Sequence, residues 1–176
     1  MAGLILTTAA PTIIDGSRRW KVTGPVEMDD QIIADWNALP ACVQQTADEK
    51  LRRVIITRKW DERLDAISFK NGNMILAWRG KHLLDTAFLH EVGHYYDWAT
   101  GLSTMAAWHE ALDADFAAMT PEQRHDAEYI HSSQELAAEL FAAHFLGKRY
   151  FLADHYQVQL FTHSMPILEK CLCDAE

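Results

Sequence analysis

The pattern of apolar and polar residues predicts helices along much of the second half of the chain. In the stretch HLLDTAFLHEVGHYYDWATG, the apolar residues recur at three- and four-residue intervals, as on one face of a helix. This spacing predicts a helix over His82–Gly101. Similar but less regular spacing predicts further helices at Gln31–Leu39, Met105–Met119, Gln134–Gly147 and within Asp154–Leu172.

Short apolar stretches in the first half predict strands. They are bounded by proline, glycine and polar residues, and they lie at Leu4–Thr8, Thr12–Asp15, Trp20–Thr23, Arg53–Thr57, Ala66–Lys70 and Asn73–Trp78. Asn71-Gly72, between the last two stretches, is typical of a β-hairpin. Asp29 and Asp30 offer an N-cap to the helix that follows them. We therefore expect an α+β fold in one domain spanning residues 1–176, with a small twisted sheet followed by a mainly helical half.

Composition narrows the range of partners. The chain has 176 residues, of which 49% are hydrophobic and 23% charged, and this is typical of one globular domain with its own core. A formal net charge of −9 argues against nucleic acid or an anionic membrane as the main partner. No apolar run approaches the roughly 20 residues that span a bilayer, and the N-terminus lacks a secretory signal pattern.

Cysteine usage favours a reducing compartment. Cys42, Cys171 and Cys173 are odd in number, and the last two are too close in sequence for an unstrained disulfide. We expect three reduced thiols and a cytoplasmic monomer. Export by a non-classical route, as an effector or toxin, stays open.

The strongest chemical signal is His90-Glu91-Val92-Gly93-His94. Histidines four residues apart on a helix lie on the same face, with about 5–6 Å between their Cβ atoms, so both imidazoles can reach one metal ion. The intervening Glu91 points into the same cleft, where it can accept a proton from a metal-activated water. The motif predicts one catalytic zinc ion per chain and a third protein ligand further along the sequence.

Several downstream acids compete for the place of the third ligand. A ligand six residues after His94 is ruled out, because Thr100 occupies that position. The candidates are Glu110, Asp113, Asp115, Glu128, Glu135, Glu139 and Asp154. Glu135 and Glu139 share one face of a helix that is otherwise mostly apolar, an unusual setting for solvated acids.

Three segments together resemble a known family. LLDTAFLHEVGHYYD, QELAAELFAAHF, and Asp154-His155 with Pro166 downstream resemble the catalytic domain of anthrax lethal factor and the Pro-Pro endopeptidases, which are zinc metallopeptidases. The likeness covers about the C-terminal half of the chain, and the first half matches only in general plan. The resemblance implies a zincin-like fold and hydrolysis of peptide bonds in an extended peptide or protein.

The resemblance also implies roles for particular residues. His90, His94 and Glu135 would hold Zn²⁺, with Glu139 as an accompanying acid. A register four residues later, with Glu139 as the ligand, matches nearly as well. Ser132 favours the first register, because it then caps the helix three residues before the ligand.

The catalytic residues expected from this likeness are Glu91 and Tyr129. Glu91 would act as general base and then pass its proton to the leaving amine. The family has a tyrosine just before the glutamate helix that stabilises the developing oxyanion, and Tyr129 stands nearest to that place. Tyr150 and Tyr156 are the alternatives.

Two other interpretations stay open. The helix of regulatory zinc proteases that cleave repressors in bacterial stress and mobile-element control is also similar, with matches at Glu135, Ala138, Phe141, Ala142 and Ala143. A module that keeps the fold without catalysis is the rival from another class, and the intact Glu91 argues against it.

Two further expectations concern the surroundings of the site. Asp97 follows His90 by two helical turns and can orient a histidine as a hydrogen-bond acceptor, although a plain surface aspartate is equally consistent with its position. Asn73–Trp78 leads directly into the motif helix. We therefore expect it to be the exposed strand along which an extended peptide substrate docks. The alternative is that this strand lies inside the sheet and another edge binds the peptide.

Overall fold

The described residues of the first half of the chain form a four-stranded sheet and two helices. The computed structural model describes residues 21–23, 26–57, 66–77, 81–128, 132–147 and 158–173. In chain order the elements of this half are β1 (Lys21–Thr23), α1 (Val26–Ala38), α2 (Ala41–Asp48), β2 (Arg53–Thr57), β3 (Ala66–Ser68) and β4 (Asn73–Ala77). The strands predicted in this part of the chain are confirmed, whereas the predicted strands Leu4–Thr8 and Thr12–Asp15 lie outside the described residues.

The second half is helical, as the apolar spacing predicts. Its helices are α3 (Lys81–Thr100), α4 (Ala106–Ala118), α5 (Pro121–Glu128), α6 (Ser133–Leu146) and α7 (Ser164–Cys173). Short 3₁₀ turns occur at Leu102–Thr104 and Val158–Leu160. The described part of the chain is therefore α+β and mostly helical. It contains no helix with both the length and the apolar character that crossing a membrane requires.

One predicted helix start is wrong. Asp29 and Asp30 lie within α1, which begins at Val26, so neither is the N-cap. The helix extends upstream because Val26-Glu27-Met28 contains no helix-breaking residue, and the break comes instead at Gly24-Pro25 in the sequence.

The sheet has the order β1-β2-β4-β3. β1, β2 and β4 run parallel, and β3 is antiparallel to β4, with Ile67 opposite Ile75. The predicted hairpin is confirmed: the Gly72 N–H donates to Phe69 O at 2.9 Å, and Gly72 has a φ of +90°. Glycine adopts this left-handed conformation without strain, which explains its position after the turn.

This topology corrects the prediction of a docking strand. β4 has hydrogen-bonded neighbours on both sides, β2 and β3, so Asn73–Ala77 is an interior strand and cannot add a peptide. Its continuous apolar run, Met74-Ile75-Leu76-Ala77, is typical of a strand inside a sheet that contains parallel pairs. Trp78 lies outside the described residues. Within the described sheet, β3 is the edge strand next to β4.

α3 occupies the centre of the molecule, between the sheet and α6. Its contacts include α1, α2, β3 and β4 as well as α6, and the Phe88 and Tyr95 side chains are fully buried. The Tyr95 hydroxyl donates to Asn73 O at 2.6 Å, which fixes the helix to the hairpin. Burial raises the pKa of Tyr95 to about 12, so its hydroxyl stays a donor across the physiological range.

Candidate metal centre

Two histidines of α3 form one side of the candidate metal centre. His90 and His94 are one helical turn apart, and their ring centroids lie 4.8 Å from each other with the ring planes almost perpendicular. Only 14% of the His90 side chain and 9% of the His94 side chain are exposed. The HEVGH spacing thus places two largely enclosed imidazoles side by side, as the sequence predicts.

The first turn of α6 places Glu135 opposite these histidines. Ser132 precedes the helix, and its Oγ accepts a hydrogen bond from the Glu135 backbone N–H at 3.1 Å, so Ser132 is the N-cap. Glu135 Oε2 lies 3.3 Å from His90 Nε2 and 3.4 Å from His94 Nε2. One potential ligand atom from each of these three residues lies within 4.8 Å of the other two. The structure therefore brings together the three side chains that the sequence predicts as ligands.

Glu139, one turn after Glu135, contacts His90 at its other ring nitrogen. Glu139 Oε1 lies 3.2 Å from His90 Nδ1, and 11% of the Glu139 side chain is exposed. A carboxylate in this position fixes the orientation of the ring and leaves Nε2 directed at a metal. The geometry thus gives Glu135 the position of a ligand and Glu139 the position of an orienting group.

The approach of α6 to α3 depends on Gly93 within the HEVGH motif. A Cβ atom on Gly93 would lie 2.8 Å from Ala138 Cα, 3.1 Å from Ala138 O and 3.1 Å from Phe141 Cβ. These distances are shorter than ordinary van der Waals contacts, so a side chain here would push the helices apart. Glycine at this position allows the glutamates of α6 to reach the histidines of α3.

Two of the three distances between the candidate donor atoms are short enough for one metal ion to contact both atoms of each pair. Zinc–ligand bonds of about 2.0–2.1 Å at tetrahedral angles put neighbouring donor atoms about 3.3–3.4 Å apart. The distances from Glu135 Oε2 to the two imidazole nitrogens, 3.3 Å and 3.4 Å, agree with this requirement.

Without a metal ion, the same contacts form an ion-pair cluster. Burial lowers the pKa of His90, but hydrogen bonds with Glu135 and Glu139, together with the charge of Glu139, outweigh it and raise the pKa to about 10. Hydrogen bonds with His90 and then His94 hold the pKa of Glu135 well below its ordinary value, against the effect of burial. A metal ion that binds here must therefore displace a proton from His90.

Glu91 lies next to these residues and is almost completely enclosed. Its exposed fraction is 5%, and its buried Oε2 atom has no hydrogen-bond partner among the described residues. Burial raises the pKa of the Glu91 carboxyl group, against the lowering effect of the neighbouring His90 and of Ser68. The Ser68 hydroxyl also donates to the backbone carbonyl of Glu91 at 3.4 Å, which brings β3 to this turn of the helix. An enclosed carboxylate with a raised pKa is well suited to accept a proton.

Asp97 does not have the predicted role of orienting a histidine. Its carboxylate accepts hydrogen bonds from the Ser103 N–H at 2.6 Å, the Ser103 hydroxyl at 2.8 Å and Gln134 Nε2 at 3.1 Å. Glu139 contacts His90 instead, with its Oε1 atom 3.2 Å from His90 Nδ1. Asp97 thus organises the turn after α3, because its carboxylate accepts its hydrogen bonds from that turn and from Gln134 of α6.

The other acids considered as ligands lie elsewhere or outside the described residues. Asp115 is completely buried and accepts hydrogen bonds from the His163 and Ser164 N–H groups at 2.8 Å and 2.9 Å, at the start of α7. Glu110 and Asp113 are exposed on α4. Tyr129, Tyr150, Asp154 and Tyr156 lie outside the described residues, so the predicted oxyanion role of a tyrosine stays a prediction.

Trp98 is a neighbour of the centre that the sequence interpretation missed. Its ring stacks on His94, with the centroids 5.9 Å apart and the planes within 20° of parallel. The i, i+4 spacing from His94 to Trp98 on a helix is the signal that could have identified this contact.

One histidine pair, one carboxylate ligand candidate and one enclosed glutamate lie together where α3 packs against α6. Comparison of the chain with protein-family models, with curated proteins and with solved structures gives no match.

Proposed function

We propose that this protein is a zinc-dependent endopeptidase with a zincin-like catalytic domain, in which His90, His94 and Glu135 hold one zinc ion. The observation that carries the proposal is the convergence of these three side chains within 4.8 Å, with the enclosed Glu91 beside them. A site that only bound zinc for structural reasons would use four protein ligands and would not need an enclosed carboxylate next to them.

A zinc ion held by His90, His94 and Glu135 would supply Lewis acidity for the attack of water on a peptide carbonyl group. Glu91 accepts the proton of the attacking water and later donates it to the amine leaving group. Its burial favours this exchange, because a raised pKa makes the carboxylate a stronger base and makes loss of the proton to bulk water less easy. Glu139 holds the His90 ring in place during the cycle.

The edge of the sheet offers a place for an extended substrate. β3 is the last strand of the described sheet, and Ser68 at its end is hydrogen-bonded to the carbonyl of Glu91. A peptide that pairs with β3 would therefore run past the turn of α3 that carries the general base. Backbone pairing of this kind binds many sequences and leaves selectivity to side-chain pockets.

The decisive experiment is a digest of an unbiased peptide library, read by mass spectrometry. Zinc-loaded protein is compared with Glu91→Gln, which keeps the shape of the side chain and removes the base. We expect internal cleavage by the unsubstituted protein, loss of cleavage in Glu91→Gln, and equal zinc content in both. Absence of cleavage by the zinc-loaded protein, or full cleavage by Glu91→Gln, would overturn the proposal.

A further inference from the structure

A polar cavity of about 380 Å³ lies close to the metal centre. Asp97 and Trp98, near the end of α3, form part of its wall. The Trp98 ring stacks on His94 at 5.9 Å, and Gln134, another lining residue, immediately precedes Glu135. The cavity is thus separated from one candidate ligand by a single aromatic ring.

Two lysines from different turns line this cavity. Lys50 lies in the turn after α2, and Lys70 lies in the turn between β3 and β4. The two turns are fastened together, because the backbone N–H groups of Arg52 and Arg53 donate to Gly72 O at 2.8 Å and 3.0 Å. Neither lysine forms an ion pair with any residue in the described part of the chain. Two ammonium groups are therefore available here, in a chain whose net charge is −9.

The acidic residue in the lining, Asp97, is satisfied by other donors. Ser103 supplies two hydrogen bonds to its carboxylate and Gln134 supplies a third, at 2.6 Å, 2.8 Å and 3.1 Å. The cavity thus presents two ammonium groups beside a carboxylate that is already satisfied, and this favours an anionic group with oxygen acceptors.

We propose that this cavity binds a carboxylate of the substrate, so that the enzyme selects peptides with an acidic group close to the scissile bond. The inference rests on the proposed peptidase function and names its substrate class. An extended peptide advances about 3.3–3.4 Å per residue, so a cavity one ring away from His94 receives a group within about three residues of the cleaved bond. The carboxylate can belong to an Asp or Glu side chain or to the C-terminus of the peptide.

The kinetic test uses matched peptides on the zinc-loaded protein. A peptide found in the library digest is resynthesised with Glu or Gln at each of the three positions on either side of the cleaved bond, and with a C-terminal acid or amide. At one position we expect kcat/KM for the Glu peptide to exceed that for the Gln peptide by about tenfold. This ratio should fall as the salt concentration rises. If the preference follows the C-terminal acid instead, the terminal carboxylate is the bound group.

Substitutions assign this preference to the cavity. The double variant Lys50→Ala/Lys70→Ala should lose the preference, because it removes both ammonium groups. Lys170→Ala, at an exposed position of α7 that does not line the cavity, is the matched control and should keep it. Equal rates for charged and neutral peptides, or a preference that survives the double substitution, would overturn the inference and leave the peptidase function intact.

A binding measurement separates the inference from the proposed function. N-acetylglutamate amide and N-acetylglutamine amide are titrated into zinc-loaded protein, and the indole N–H resonance of Trp98, assigned with Trp98→Phe, is followed by NMR. The glutamate compound should shift this resonance, the glutamine compound should not, and the double lysine variant should show no shift. If no peptide is cleaved at all, the peptidase proposal fails, and with it the selection of acidic substrates; the titration then decides whether the cavity binds a carboxylate, and an unshifted resonance shows that it does not.

Discussion

Gly93 of α3 lies so close to Ala138 of α6 that a methyl group on the glycine would come within 2.8 Å of the Ala138 Cα atom. On its own helix, Gly93 falls between the two histidines of the centre, and Ala138 falls between the two glutamates. This tight contact between the two helices therefore lies beside the candidate metal centre. The distance from carboxylate to imidazole is set by how closely the two backbones pack.

Replacing Gly93 by Ala should lower both stability and zinc affinity. Forcing a methyl group into a packed interface costs about 1–3 kcal/mol, and the clash is with backbone atoms that cannot rotate away. Without that clash, Gly→Ala inside a helix would raise stability by roughly 0.5–1 kcal/mol. Urea unfolding of the metal-free protein distinguishes these two cases, because a clash lowers the free energy of unfolding of Gly93→Ala and the absence of a clash raises it. An increase would show that the two helices are not in close contact at Gly93.

The two glutamates of α6 should differ in their effect on zinc. Glu135→Ala removes a ligand and should weaken zinc binding most. Glu139→Ala should weaken it by about 10–100-fold, because His90 loses its orienting partner but keeps its place on the metal. Competition with a chromogenic chelator measures both affinities. A greater loss in Glu139→Ala than in Glu135→Ala would show that the ligand is Glu139.

Zinc binding should release protons and should strengthen as pH rises. In the metal-free protein the pKa of His90 is raised to about 10, so His90 is protonated near pH 7.5 and must lose its proton to bind zinc. Calorimetry in two buffers of different ionisation enthalpy should therefore detect about one released proton from this group. Glu139→Gln removes a cause of the raised pKa, so it should release fewer protons at the same pH.

The same pKa shift gives the metal-free protein a pH-dependent stability. A folded-state pKa raised above the ordinary value of 6.5 stabilises the fold fully below pH 6.5, and this contribution is lost as pH rises through about 10. Urea titrations of the metal-free protein from pH 6.5 to pH 10 should show that decline. His90→Gln, which cannot titrate, should show less of it, and an equal decline in His90→Gln would assign the effect to other groups.

The helices that carry the candidate metal centre are well predicted from the sequence, because each has a local sequence signal. The HEVGH spacing fixes two imidazoles on one helix face, and the Ser132 cap fixes where α6 begins and hence the register of Glu135. These features depend on residues within about one helical turn of one another. The apolar spacing of α3 and the Asn71-Gly72 hairpin are local in the same sense.

Contacts between segments that are distant in the sequence are harder to predict from the sequence alone. The order β1-β2-β4-β3 places β4 inside the sheet, and nothing in the Asn73–Ala77 sequence alone separates an interior strand from an edge. The hydrogen bonds that Asp97 accepts depend on where the chain turns after α3, because that turn brings Ser103 to the carboxylate and Gln134 also donates to it. Lys50 and Lys70 meet at one cavity only because their two turns are joined through Gly72.

The edge strand β3 allows a test of how the substrate docks. The Phe69 N–H donates to Asn73 O at 2.9 Å, so it points towards β4. Because backbone groups alternate in direction along an antiparallel strand, the N–H groups of Ala66 and Ser68 point away from β4 and are placed to pair with a peptide. Ala66→Pro removes one such donor without removing a bond to β4, whereas Ala66→Val keeps the donor and suits a strand.

We therefore expect Ala66→Pro to raise KM for an extended peptide by roughly 3–10-fold, the effect of losing one hydrogen bond worth about 0.5–1.5 kcal/mol. Ala66→Val should leave KM within about twofold of the unsubstituted protein, because it keeps the backbone N–H and changes only the side chain. The zinc content and the urea midpoint of both variants establish that the metal centre and the fold are intact.

Ile67→Pro is the contrasting case, because the Ile67 N–H points towards β4 and its loss should lower the stability of the protein. An unchanged KM in a folded, zinc-loaded Ala66→Pro protein would show that the peptide does not pair with β3 at this residue.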